Sequence, residues 1–150
     1  SNLLTYGHAN QPNRTKAIIT TYSEQQQQQQ LRRQYKTIMG FQKTIIREGN
    51  GVKPRSGQSV TVHCTGYGKD RDLSKKFWST KDPGQQPFTF SVGQGQVIKA
   101  WDEGVIGMSI GEIAKIHASP DYAYGSGGFP AWGIMPNSEL VFEIEVLKYD

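Results

Sequence analysis

The chain has 150 residues and a net charge of +4, and only 35% of its residues are hydrophobic. This length suits one domain, and the low hydrophobic share indicates a compact core with a polar appendage. No apolar run approaches the roughly 18 residues that a membrane-spanning helix needs, so we expect no membrane partner. The single cysteine, Cys64, excludes an intramolecular disulfide and a thiolate zinc cage, and it is typical of a reducing, cytoplasmic setting.

The charge is concentrated at one end of the chain. Residues 1–40 carry five basic side chains and one acidic side chain, whereas residues 41–150 carry twelve of each. We therefore predict a polar, basic extension over residues 1–40 and a folded domain over residues 41–150. A neutral domain disfavours a nucleic-acid-binding core, because the basic surface would then lie on the fold itself. Recruitment to nucleic acid through the basic extension remains a separate hypothesis.

The extension is predicted to be irregular at first and then helical. Residues 1–20 are polar and read as loop or disorder. Ser23 and Gln26 have the spacing of a capping box at the start of a glutamine tract. Apolar residues then recur at helical spacing, which predicts a helix over about residues 23–38: Leu31, Tyr35 and Ile38. The alternative is a frayed or disordered glutamine tract.

The domain shows mainly the two-residue period of half-buried strands. One short helix fits, because Ile98, Trp101 and Val105 have helical spacing. This pattern predicts an α+β fold in which an antiparallel sheet wraps over the helix. In chain order the predicted elements are strands near residues 60–65 and 88–92, the helix near 98–106, and strands near 110–119 and 140–146.

The sequence offers no acid–base or nucleophilic constellation. It lacks a Walker loop, a nucleophile elbow and a zinc-binding HExxH motif, so we predict no cofactor and no metal site. The adjacent acids Asp102 and Glu103 are interpreted as charges at a helix start. Aromatic residues are dense, and several lie in Gly/Pro-rich segments where such side chains often line clefts. A hydrophobic ligand groove and a large aromatic core are both compatible with this density.

Several ordered stretches of residues 41–150 together resemble one family, the FKBP-type peptidyl-prolyl cis/trans isomerases. The stretches are VTVHCTG (60–66), PFTF (87–90), QVIKAWDEG (96–104), SPDYAYG (119–125) and LVFEIEVL (140–147). The FPAWGI segment (129–134) is most similar to the plant-type branch. The resemblance implies a curved antiparallel sheet of about five strands around one short helix, which agrees with the periodicity.

The resemblance also implies a set of site residues. The catalytic set that it implies is Tyr124, Trp101, Phe77, Phe142 and Ile98. The substrate- and macrolide-binding set is Cys64, Trp78, Phe88, Val97, Ala123, Phe129 and Ile134. In this interpretation Trp101 is the floor of the pocket, and the Ile98 N–H and the Tyr124 hydroxyl bond the carbonyls beside a bound proline.

Two positions depart from the family pattern, since Cys64 replaces a usual tyrosine and Trp78 replaces a frequent aspartate; both can shift ligand selectivity.

By resemblance, the expected activity is X–Pro isomerisation. The expected partners are proline-containing peptides and proteins, macrolides such as tacrolimus and rapamycin, and ternary complexes with a phosphatase or kinase. The alternative is a non-catalytic FKBP-like module that docks protein partners, and the two hypotheses share one pocket.

Overall fold

A computed structural model describes residues 21–30 and 40–150 of the chain. The chain divides into two compact units, Ser1–Lys36 and Thr37–Asp150.

In the first unit, residues 21–30 are helical and every one of their side chains is exposed. A glutamine run has little apolar surface to bury, so such a helix presents polar side chains all round. The predicted helix agrees with the structure as far as residue 30. The predictions for residues 1–20, and for Leu31, Tyr35 and Ile38, lie outside the described residues. No helix within the described ranges is long and apolar enough to cross a bilayer.

The second unit is built on an antiparallel sheet, and the α+β class is confirmed. Its described residues form β1 (Phe41–Arg47), β2 (Ser59–Tyr67), β3 (Lys76–Ser79), β4 (Phe88–Ser91), β5 (Ile113–Ala118), β6 (Leu140–Tyr149) and one α-helix, here called the central helix (Lys99–Val105). The strand order is β1-β5-β6-β2-β3, and β4 pairs with the other end of β2. Residues 40–150 thus contain six strands, one more than the resemblance implied.

The core lies between the sheet and the central helix, as the alternation predicted. Every second residue of β6 is buried from Leu140 to Val146, and the same period buries Val60, Val62 and Cys64 on β2. Fully burying one such aliphatic side chain contributes about 1.5–3 kcal/mol. The buried side chains on one face of each strand therefore fix the register between β2 and β6, the most extensive strand pair of the sheet.

The central helix buries Ala100, Trp101 and Val105 against this core. Of the acidic pair interpreted as charges at a helix start, Asp102 lies in the first turn of the helix, whereas Glu103 lies beyond it. The Asp102 carboxylate also accepts hydrogen bonds from the backbone N–H groups of Gly93 at 3.0 Å and Gly95 at 2.7 Å. Asp102 therefore fixes the turn that leads from β4 into the helix.

Candidate functional site

A groove of about 550 Å³ opens beside the central helix, and its lining carries no charged side chain. The lining comes from β3, β4, β6, the start of the helix and the loop of residues 119–139, here called the groove loop. Apolar clefts with a few polar groups are the usual form of a ligand site. The ten lining residues are Trp78, Phe88, Gly95, Gln96, Val97, Ile98, Trp101, Tyr124, Trp132 and Phe142.

Trp101 and Phe142 are the most buried of the lining residues and form the floor of the groove, at 5% and 2% exposure. Their rings meet edge to face, with centroids 5.5 Å apart at 89°. Phe88 also meets Trp101 edge to face, at 5.8 Å and 74°. Such pairs contribute about 0.5–1.5 kcal/mol each beyond the area that they bury. The Trp101 Nε1 atom is buried and has no hydrogen-bond partner among the described residues. The floor is therefore a closely packed aromatic surface.

One wall of the groove is a pair of stacked indoles. The rings of Trp78 and Trp132 are 5.6 Å apart and nearly parallel, at 7°. Trp78 Nε1 donates a hydrogen bond to Gln85 Oε1 at 3.3 Å, and Phe77 stacks on Trp132 at 5.7 Å. Trp132 was not among the predicted site residues, although its place in a Gly/Pro-rich loop was a usable signal. Gly95 and Gln96 were also missed, because their sequence carries no comparable signal.

Tyr124 and Ile98 each contribute to the lining a polar group that has no protein partner. Neither the Tyr124 hydroxyl nor the Ile98 backbone N–H makes a hydrogen bond within the described residues. Burial, and secondarily the proximity of Cys64, raises the pKa of the Tyr124 phenol above its ordinary value. Tyr124 therefore keeps its proton at neutral pH and can donate a hydrogen bond to a ligand.

Seven of the twelve residues predicted from the resemblance line the groove: Ile98, Trp101, Tyr124, Phe142, Trp78, Phe88 and Val97. The lining does not include Phe77, Ala123, Phe129, Ile134 or Cys64. Phe77 packs behind the wall, where a Cβ on Gly66 would lie 2.3 Å from its ring. Ile134 is in the core, and Ala123 packs against the core. Phe129 is exposed, and its ring contacts that of Trp132 at a tilt of 54°, with the centroids 4.8 Å apart.

Cys64 differs most from its expected position. It is 1% exposed and belongs to the core, so its short side chain ends below the groove surface. Burial, with the nearby carboxylate of Glu143 as a second cause, raises the pKa of its thiol well above the ordinary value. The strand alternation thus placed Cys64 on the core face correctly, whereas the groove lining does not extend to it.

Comparison with known proteins identifies the family to which this arrangement belongs. The model of the family of FKBP-type peptidyl-prolyl cis-trans isomerases matches residues 50–147. The chain belongs to that family. Two proteins named peptidyl-prolyl cis-trans isomerase FKBP12, from Vicia faba and Arabidopsis thaliana, are each 72% identical to the chain over 110 residues, which are 73% of this chain and 98% of the relative. Peptidyl-prolyl cis-trans isomerase Fkbp12 from Drosophila melanogaster is 49% identical over 113 residues, 75% of this chain and 100% of the relative. The resemblance is confirmed, and the chain is a peptidyl-prolyl cis-trans isomerase.

Proposed function

We propose that the groove is the catalytic site of this isomerase and that a proline ring binds over Trp101. The observation that carries the proposal is an uncharged, largely aromatic lining in which the Ile98 N–H and the Tyr124 hydroxyl are unpaired hydrogen-bond donors. A proline ring is apolar and compact, and it matches a dry floor made by Trp101 and Phe142. The carbonyl groups on either side of the proline need donors, and the lining supplies them.

The groove accelerates rotation by stabilising the twisted peptide bond more than the planar one. Amide resonance gives the X–Pro bond a barrier of about 18–20 kcal/mol. At the top of the barrier conjugation is broken, so the carbonyl is less polar than in the planar amide. Water stabilises the polar planar form more strongly, and a dry aromatic site removes that advantage. This mechanism requires no proton transfer and no covalent intermediate, which agrees with a lining free of acids and bases.

The two donors select the geometry of the bound chain. With the Ile98 N–H and the Tyr124 hydroxyl each bound to a carbonyl, the segment is held in a turn-like conformation near the rotated state. Positioning of this kind lowers the barrier because the conformational entropy is lost on binding rather than at the transition state.

Macrolides such as tacrolimus and rapamycin are proposed to compete for the same groove. Their pipecolyl ring, one methylene larger than a proline ring, mimics it and would rest on Trp101, with the Ile98 N–H as a donor. The bound macrolide would leave part of its surface outside the groove, and we propose that a phosphatase or kinase docks on that composite surface. Trp78 and Trp132 border the groove with indoles, so ligand selectivity in this chain is expected to depend on aromatic stacking.

A coupled assay on an X–Pro peptide, with and without a macrolide, tests the site assignment. Trp101→Ala removes most of the floor and should lower kcat/KM and macrolide affinity by about 100-fold, a few kcal/mol. Tyr124→Phe removes one hydrogen bond and should lower kcat/KM by about threefold to tenfold. Tyr122→Phe, two residues away and outside the lining, is the matched control and should leave the rate unchanged. Wild-type rates in folded Trp101→Ala protein would place catalysis elsewhere.

A cytoplasmic location is proposed on the chemistry of Cys64. Among the described residues this cysteine is free, and a buried thiol is maintained in a reducing compartment. Cell fractionation with an antibody to the chain tests the location, and recovery in a secreted or organellar fraction would contradict it.

A further inference from the structure

Strained backbone is concentrated at one junction beside the groove. In the described part of the chain three residues other than glycine have positive φ angles, and all three lie there. Asp70 and Arg71, at +56° and +63°, belong to the short turn Lys69–Arg71, and Asn137, at +55°, is near the end of the groove loop. Side chains disfavour this conformation, so it persists only where neighbouring contacts compensate for it.

The compensating contacts run from the turn to the groove loop. Arg71 Nη2 donates a hydrogen bond to the Pro136 carbonyl at 2.6 Å, and Nη1 donates to the Asn137 carbonyl at 3.3 Å. The Asp70 N–H donates to the Gly133 carbonyl at 3.0 Å. The two segments also pack closely, because a Cβ on Gly133 would lie 2.9 Å from Lys69 Cγ.

No other hydrogen bond fixes the tip of the groove loop from outside. Within residues 40–150, every hydrogen bond that joins residues 123–137 to a residue outside the groove loop comes from the Lys69–Arg71 turn. The remaining bonds of the tip stay within the groove loop, such as Asn137 N–H to the Gly125 carbonyl at 2.8 Å. This tip carries Tyr124 and Trp132, a proposed donor and a wall of the groove.

We propose that Arg71 is a positioning residue for catalysis. Its guanidinium holds the groove loop so that Tyr124 and Trp132 keep their places around the substrate. Arg71 does not line the groove, and it acts only through the loop. The left-handed backbone at Arg71 is the conformation in which its side chain reaches the two carbonyls. This inference rests on the proposed function, because it requires the groove to be the catalytic site.

Three substitutions in the full chain separate positioning from stability. Arg71→Ala removes the guanidinium, whereas Arg71→Gly removes it and also relieves the strain at positive φ. Both should lower kcat/KM by about tenfold, as displacement of a substrate-positioning group does. The glycine variant should nevertheless melt at or above the wild-type temperature. Arg71→Lys retains the charge and one donor and should recover part of the loss. Arg55→Ala, at another exposed arginine, is the matched control and should have no effect.

A second readout follows the loop itself. Amide hydrogen exchange over residues 125–137 and the NMR signal of the Trp132 indole N–H should change in the Ala and Gly variants and not in Arg55→Ala. Unchanged kcat/KM in those two variants would overturn the proposal, as would a loss of rate with unaltered loop signals. An inactive wild-type chain would refute the proposed function, and this inference with it, whereas an active wild type with active variants refutes the role of Arg71 alone.

Discussion

Replacing Lys43 with methionine should destabilise the domain because it leaves a buried carboxylate without its cation. Glu112 is 3% exposed, and its Oε2 lies 3.1 Å from Lys43 Nζ. The same ammonium donates to the Gly107 carbonyl at 3.1 Å, just beyond the central helix. The substitution thus removes both the counter-charge of Glu112 and a link between β1 and the end of the helix that carries Trp101.

The expected loss follows from the burial of the two partners. Removing one partner of a fully buried ion pair costs about 3–5 kcal/mol. The Lys43 side chain is 22% exposed, so water can reach the site and the expected cost falls to about 2–3 kcal/mol. Methionine keeps the apolar stem of the side chain in place, so the loss reports the charge and its hydrogen bonds. At about 4 °C per kcal/mol for a domain of this size, the melting temperature should fall by about 8–12 °C.

Urea unfolding measures this loss, and Lys148→Met is the matched control. Lys148 pairs with Asp150 at 3.4 Å, but both side chains are exposed, so its removal should cost less than about 0.5 kcal/mol. The double variant Lys43→Met, Glu112→Gln should lose less unfolding free energy than the sum of the losses of the two single variants. The reason is that it no longer buries an uncompensated charge. A loss for Lys43→Met as small as for Lys148→Met would refute the reasoning.

Three further predictions concern the groove, the cysteine and the extension. The isomerase rate should change by less than about twofold between about pH 6 and about pH 9, because the lining has no charged group and the raised pKa of Tyr124 keeps its phenol neutral; a bell-shaped profile in the coupled assay would contradict this. Maleimide should label Cys64 slowly in the native protein and rapidly in urea, since burial both shields the thiol and raises its pKa; equal rates measured by mass spectrometry would show that the thiol is accessible. A chain that starts at Gly40 should keep the melting temperature and activity of the full chain, and a loss of several degrees in calorimetry would show that the extension stabilises the domain.

The sequence predicted those strands whose burial differs between their two faces. The alternating rows of β2 and β6 were identified because one face of each lies on the core. β1 was missed because it is an edge strand, with Ile45 and Ile46 both exposed, so its burial gives no clear alternation. β3 was missed because Phe77 and Trp78 are adjacent in it, so it lacks the alternation that β4, of the same length, shows.

As with the strands, the site residues that lie on regular elements were more predictable than those whose position depends on a loop. Trp101 and Phe142 lie on regular elements, and the family resemblance predicted Trp101 as the floor of the pocket and Phe142 as one of its residues. The position of Trp132 depends on the path of the groove loop, which no local pattern specifies. For Cys64, the alternation of β2 predicts that the side chain is on the core face of the strand. It does not predict how far below the groove lining the thiol lies.

The floor and the walls of the groove are held by different forces, and this difference predicts how the site adapts to ligands. The floor is part of the hydrophobic core, so moving it would require opening the whole domain. Trp78 lies on strand β3, but two parts of the wall are irregular segments whose hydrogen bonds to other elements are few and exposed: the turn that contains Gly95, held by Asp102, and the groove loop, held by Asp70 and Arg71. Each such bond contributes only about 0.5–1.5 kcal/mol, somewhat more where it is charge-assisted. These two irregular segments should therefore shift to fit different residues beside the proline while Trp101 stays in place, which would let one floor serve many X–Pro sequences.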